Sequence, residues 1–130
     1  MLHSGHITFL KRAAEYGRVY VGIGSDYSVL KYKCKSPVCS EQERLFMLKA
    51  IRYVEDAFIN DGEGEMDFID TILDLGIKTM IVNEDQSPDK KKEFCQKHGI
   101  ECIVLTRTQE PELPARSTTN YRHEVRIGKW

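Results

Sequence analysis

His3 and His6 bracket Ser4-Gly5 at the start of the chain, with Met1 and Leu2 in front of them. Two imidazoles three positions apart lie on one face of a helical turn, and a glycine between them lets a phosphate approach the backbone. If the turn opens a helix, its unpaired N–H groups face the same anion. The spacing therefore suits two hydrogen-bond donors on the oxygens of one phosphate. Two other readings stand beside it, a chance pair at a frayed terminus and a zinc site, and the second lacks a third ligand of good spacing.

Such a turn has to be held by the elements that follow. Ile7, Leu10, Ala13 and Ala14 recur at helical spacing before Gly17, which predicts a helix over His3 to Tyr16. Arg18 to Ser25 is short, apolar and partly β-branched, as a buried strand is. Asp26 to Ser40, with Lys31, Lys33, Lys35 and Pro37, reads as a loop. Ser40-Glu-Gln-Glu43 matches a capping box, and Leu45, Leu48 and Ile51 continue with helical spacing.

Further strands are predicted over Tyr53 to Ile59, Ile77 to Val82 and Ile100 to Leu105. Helices are predicted between them, over Met66 to Leu75 and Pro88 to His98, ending at Gly76 and Gly99. Gln109 to Arg116, with Pro111 and Pro114, reads as a loop delivering Ser117-Thr-Thr119 to another helix start, and the tail from Tyr121 as a segment that starts a strand. Alternating strands and helices predict an α/β fold, with right-handed crossovers and a mostly parallel sheet covered by helices on both faces.

The 130 residues suit a single domain over 1–130. With 19 basic against 20 acidic residues and a net charge of -1, no global field recruits nucleic acid or an anionic membrane, so any anion site is local. No apolar run approaches the roughly 20 residues that span a bilayer, and the start lacks a secretory layout, which favours the cytoplasm. Cys34, Cys39, Cys95 and Cys102 contain no CxxC pair and are expected as free thiols.

HSGH followed by a helix and the strand VYVGIGSD resembles the HxGH nucleotidyltransferase superfamily, in particular its cytidylyltransferase-like branch. That branch includes glycerol-3-phosphate cytidylyltransferase and the adenylyltransferase domain that forms ADP-heptose. Three further blocks follow in the same order: Glu43-Arg44 with Ala50-Ile-Arg-Tyr-Val54, then Val82-Asn-Glu-Asp85, then Arg107-Thr with Arg116-Ser-Thr-Thr119. The resemblance implies a Rossmann-like fold. It also implies transfer of CMP or AMP from an NTP to a sugar phosphate or polyol phosphate, with release of pyrophosphate and with Mg²⁺ shielding the triphosphate.

On this resemblance His3 and His6 stabilise charge on the α-phosphate, while Ser4, Gly5, Arg107, Arg116, Ser117, Thr118 and Thr119 hold the nucleotide phosphates. Ser117 is also an ordinary N-cap candidate. Lys35, Arg44 and Asp85 match positions that contact acceptor or phosphate, although a solvated lysine loop and a structural helix arginine explain the first two as well. The resemblance further implies a homodimer and a fused or partner sugar kinase. A nucleotide-binding module without turnover is the rival reading; a redox domain lacks a flavin or nicotinamide fingerprint.

The chain departs from the branch at three places. Gln-Glu-Pro-Glu-Leu-Pro-Ala is inserted between Thr108 and Arg116, Asn83-Glu84 replaces the commoner glycine-containing pair before Asp85, and Glu55 stands where aspartate is frequent. The resemblance also implies a central first strand and a Gly-x-Phe-Asp turn ahead of His3. A sheet with a gap and unpaired backbone groups is therefore expected. A shortened start, a strand from another chain and a collapsed, inactive variant are the three explanations for such a gap.

Overall fold

The structure, a computed structural model, describes residues 2–129. The elements run α1 (Ser4–Ala13), β1 (Tyr20–Ile23), α2 (Asp26–Lys33), α3 (Glu41–Lys49), β2 (Asp56–Ile59), α4 (Ile69–Asp74), β3 (Thr79–Asn83), α5 (Pro88–His98), β4 (Glu101–Leu105) and α6 (Thr118–Arg126). All pairing among the described residues is parallel, as the alternation predicts. It forms two separate pairs, β1 with β2 in the register Tyr20 to Asp56, and β3 with β4 in the register Thr79 to Glu101. The expected gap is thus a break in hydrogen bonding between the two halves.

Each pair carries its own small core. Leu10 of α1, Leu48 of α3 and Ala57 of β2 are buried together against the first pair. Ile72 of α4, Phe94 and Cys95 of α5, and Ile100 pack against the second. Helix α1 also reaches the far half: Lys11 Nζ meets Glu110 at 3.0 Å, and Arg12 Nη1 donates to the Thr106 carbonyl at 2.6 Å and to Thr108 Oγ1 at 3.1 Å. The helix that opens with HSGH is therefore clamped by an apolar contact on one side and polar contacts on the other.

Local signals set most boundaries. Ser40 Oγ accepts from the Glu43 N–H at 3.2 Å and Glu43 Oε2 accepts from the Ser40 N–H at 2.8 Å, closing the predicted capping box. Helix α5 runs from Pro88 to a left-handed Gly99 at φ 66°, the conformation that favours glycine.

Two expectations are corrected. Asp26 to Lys33 is helix, not loop: the Ser25 hydroxyl accepts from the Ser28 N–H at 3.1 Å and caps it. The helix leaves no apolar stripe to read because Tyr27, Leu30 and Tyr32 stay exposed. The tail through Arg126 is likewise helix α6, capped by Ser117, and starts no strand. All four cysteines are free.

A buried polar pair lies at the carboxyl end of the first half. Asn60 Nδ2 donates to Asp67 Oδ1 at 2.7 Å, and both residues are buried. Gly22 makes room for it, since a Cβ there would overlap Asn60 Oδ1 and come within 2.9 Å of the Phe58 ring. Desolvation raises the Asp67 pKa even though the Asn60 bond opposes it. Asn60→Ala is expected to cost about 1–3 kcal/mol in urea unfolding, because it strands a buried carboxyl oxygen. Asn60 Oδ1 is itself without a partner, which places the expected value toward the lower end.

Candidate active site

Four chain segments converge on one cavity of about 450 Å³. His3 to His6 come from the first turn of α1, Asn83, Asp85 and Gln86 from the end of β3, Thr106 to Thr108 from the end of β4, and Arg116 from the residue before the α6 cap. Ligands of parallel α/β folds bind at such carboxyl ends of strands, facing helix N-termini.

The two imidazoles are neighbours, with ring centroids 3.9 Å apart. The His3 N–H donates to His6 Nδ1 at 3.3 Å, a long bond that still fixes the acceptor nitrogen. Neutral His6 therefore carries its proton on Nε2, pointing away from that bond. Desolvation, then the His3 ring and the Arg107 guanidinium, push the His6 pKa down to about 4; His3 is lowered chiefly by desolvation, with Arg107 adding to it. Both rings are neutral donors at pH 7. Gly5 is required by close approach, since a Cβ there would sit 3.1 Å from the His3 ring and 3.2 Å from the Arg116 carbonyl.

Both predicted arginines line the cavity, each held by acid. Arg107 Nη2 lies 3.1 Å from Asp85 Oδ2, and its backbone N–H donates to Glu84 Oε1 at 3.0 Å. Arg116 Nη1 is 3.0 Å from both Glu124 oxygens. The inserted segment folds back as part of the cavity wall, where Glu110 is tied to Lys11 at 3.0 Å.

Of the remaining predicted residues, Ser4, Gly5 and Asp85 line the cavity. Ser117, Thr118 and Thr119 follow Arg116 in the chain but do not line it, and the Ser117 hydroxyl caps α6 by accepting from the Asn120 N–H at 3.1 Å. Lys35 and Arg44 lie elsewhere. Lys35 is exposed beyond α2, and Arg44 Nη2 is paired with Asp26 Oδ1 at 2.7 Å, tying α3 to the start of α2.

Sequence reasoning missed several residues in and around the site, four of which hold its shape. Arg12 lines the wall while holding the β4 end, and Phe9 lines it one turn after Gly5. Tyr121 stacks on His3 at 6.0 Å and 30°, and Glu124 holds Arg116. An amphipathic reading of α6 in place of a strand would have put Tyr121 and Glu124 on one face.

The pKa shift of His6 has a stability consequence. The unfolded chain takes up a proton at His6 near 6.5, whereas the folded chain resists until about 4. Between these values the unfolded state binds more protons, so this contribution is complete above 6.5 and is lost as the pH falls toward 4. Urea midpoints measured across that window are expected to fall less steeply for His6→Asn than for the wild type.

Two imidazoles and two arginines thus face one cavity at a helix N-terminus, an arrangement chemically suited to phosphate oxygens. The sequence profile of the cytidylyltransferase-like family matches residues 1–124, and the chain belongs to that family. It is a nucleotidyltransferase. It is 33% identical over 108 residues to an FAD synthase of Thermococcus kodakarensis, covering 81% of this chain and 71% of the relative. To an FAD synthase of Archaeoglobus fulgidus it is 30% identical over 120 residues, covering 91% and 85%. The bifunctional protein HldE of Geotalea uraniireducens is 29% identical over 132 residues, which span 98% of this chain and 25% of that one. Among solved structures, the lipopolysaccharide core biosynthesis protein of Thermoplasma volcanium matches with a TM-score of 0.67 at 23% identity, covering 85% of this chain and 89% of the other, which shows a shared fold.

Among the described residues no helix is long and apolar enough to cross a membrane.

Proposed function

We propose that the chain transfers AMP from ATP to a phosphorylated small molecule, with FMN as the first acceptor to test and sugar or polyol phosphates as the second. The observation that carries this reading is the pair of imidazoles 3.9 Å apart, sharing one cavity with Arg107 and Arg116. FAD is AMP joined to FMN, so the FAD synthases among the relatives favour an adenylyl donor over a cytidylyl one and a flavin phosphate over a sugar phosphate.

In the proposed step a phosphate oxygen of the acceptor attacks the α-phosphorus of ATP. A new P–O bond forms as the bond to the β-phosphate breaks, and pyrophosphate leaves with the bonding electrons. The acceptor phosphate is largely a dianion at pH 7, so no base is needed to activate it. His3 and His6 donate to the α-phosphate oxygens as negative charge gathers there, and Arg107 and Arg116 hold the leaving phosphates.

The donor set does not suit a resident metal. Among the described residues no three His, Cys, Asp or Glu side chains converge to hold an ion, and Asp85 and Glu124 are already paired with arginines. Mg²⁺ is therefore proposed to arrive bound to the phosphate oxygens of ATP and to neutralise part of their charge. A cytoplasmic site of action, a dimer and a kinase partner fit this reading without being needed for it.

Pyrophosphate release from ATP and CTP, each offered with FMN, glycerol 3-phosphate and a hexose or heptose phosphate, tests the proposal. Release with ATP and FMN is the expected result. ATP binding in calorimetry with no release from any acceptor would replace transfer by a binding role without turnover.

A further inference from the structure

We propose that Tyr121 is a positioning residue for nucleotidyl transfer, its ring keeping His3 and Arg116 aimed at one nucleotide; this rests on the function proposed above. His3 is buried, and its Nδ1 has no hydrogen-bond partner. The His6 N–H that faces the His3 ring in the capping box is already bonded to the His3 carbonyl at 2.9 Å, so the rotation of the ring is set chiefly by packing. The packing partners are His6 at 3.9 Å, the Cβ-free surface of Gly5, and the Tyr121 ring, inclined at 30° with its centroid 6.0 Å away. That distance is within the range of attractive aromatic pairs.

The same tyrosine meets the second group. Arg116 Cζ lies 5.5 Å from the Tyr121 centroid, within reach of a cation–π contact, while Glu124 grips Arg116 Nη1 through both oxygens at 3.0 Å. Tyr121 and Glu124 are three positions apart on α6, one face of one helix. The Tyr121 N–H donates to the Ser117 carbonyl at 3.0 Å, so the ring rides on the capped first turn of that helix. Helix α6 thus couples the His3 turn of α1 to Arg116, two groups separated by most of the chain. Tyr121 itself does not line the cavity.

Three proteins test this: the wild type, Tyr121→Leu, which removes the ring, and Tyr121→Phe, which keeps it. The Leu variant is expected to lower kcat for pyrophosphate release on the order of 10²-fold, the loss that follows a displacement of about 1 Å, with KM for ATP changed by less than about threefold. The Phe variant rescues most of that loss. In ¹H–¹³C spectra the His3 Cε1–H signal, assigned by its absence from His3→Asn, is expected to show an NOE to the Tyr121 ring in the wild type and to move in Tyr121→Leu.

An unchanged kcat in the Leu variant, a Phe variant as impaired as the Leu variant, or no NOE in the wild type would overturn the proposal. If Tyr121→Leu does not fold, the wild-type NOE and the Phe variant decide. If the wild type releases no pyrophosphate from any acceptor, the proposed function fails by itself, and the NOE and the His3 shift still decide whether Tyr121 sets the ring.

Discussion

His6→Ala is expected to lower kcat for pyrophosphate release by about 10²–10³-fold, or about 2.7–4 kcal/mol of barrier, while KM for ATP changes little. Charge builds on the α-phosphate oxygens as the phosphorus becomes five-coordinate, so a preorganised donor there acts more strongly on the transition state than on bound ATP. Neutral His6 has one proton to give, on Nε2, because Nδ1 accepts from the His3 N–H. Alanine removes that donor and leaves the turn otherwise intact, since the bond lost within the turn is a long one of 3.3 Å. His3→Ala is expected to fall in the same range, and the double variant well short of the product of the two, because the rings 3.9 Å apart act on one group. A His6→Ala protein within about threefold of the wild type would remove His6 from the chemistry.

Leu10→Ala carries the largest expected loss of stability, about 2–5 kcal/mol. Leu10 is 5% exposed and packs with Leu48 and Ala57, the buried members of the first core among the described residues. With the apolar interior divided between two halves, neither cluster has the depth to absorb a lost side chain by collapse. A domain of ordinary stability holds about 5–15 kcal/mol in total, so the change removes a large share of it. It also frees the apolar side of α1 and leaves that helix tied mainly by Lys11 and Arg12. The urea midpoint is expected to drop sharply, with ATP binding weakened as the HSGH turn loses its support. Val38→Ala, at a position 83% exposed, is the control and is expected to stay within about 0.5 kcal/mol of the wild type. Equal midpoints for the two variants would contradict the packing described for α1.

The elements that sequence alone identified share one property: their signals are local. A capping box lies within four residues, Pro88 and Gly99 bound α5 directly, and β-branched runs mark β1, β3 and β4. HSGH was legible for the same reason, since a helix start brings positions three apart together whatever the rest of the chain does. Helix α2 was missed because its local signal, the Ser25 cap, comes without the apolar stripe that only a packed helix has to carry. The tail was missed because Val125 and Ile127, which suggest a strand, are exposed on or just beyond a helix whose working face is set by Tyr121 and Glu124.

What the amino-acid order determined by itself was the alternation of elements, the parallel pairing and the histidine turn, each written in residues a few positions apart. Tertiary structure alone decided which of the candidate cations reach the cavity. Arg107 and Arg116 do, while Arg44 is consumed by Asp26 and Lys35 points to solvent beyond α2. It also decided that Arg12 would grip the end of β4 from 94 residues away and that Tyr121 would lie on His3. Contacts of that length depend on how the chain closes in space, and no spacing rule along a helix or strand encodes them.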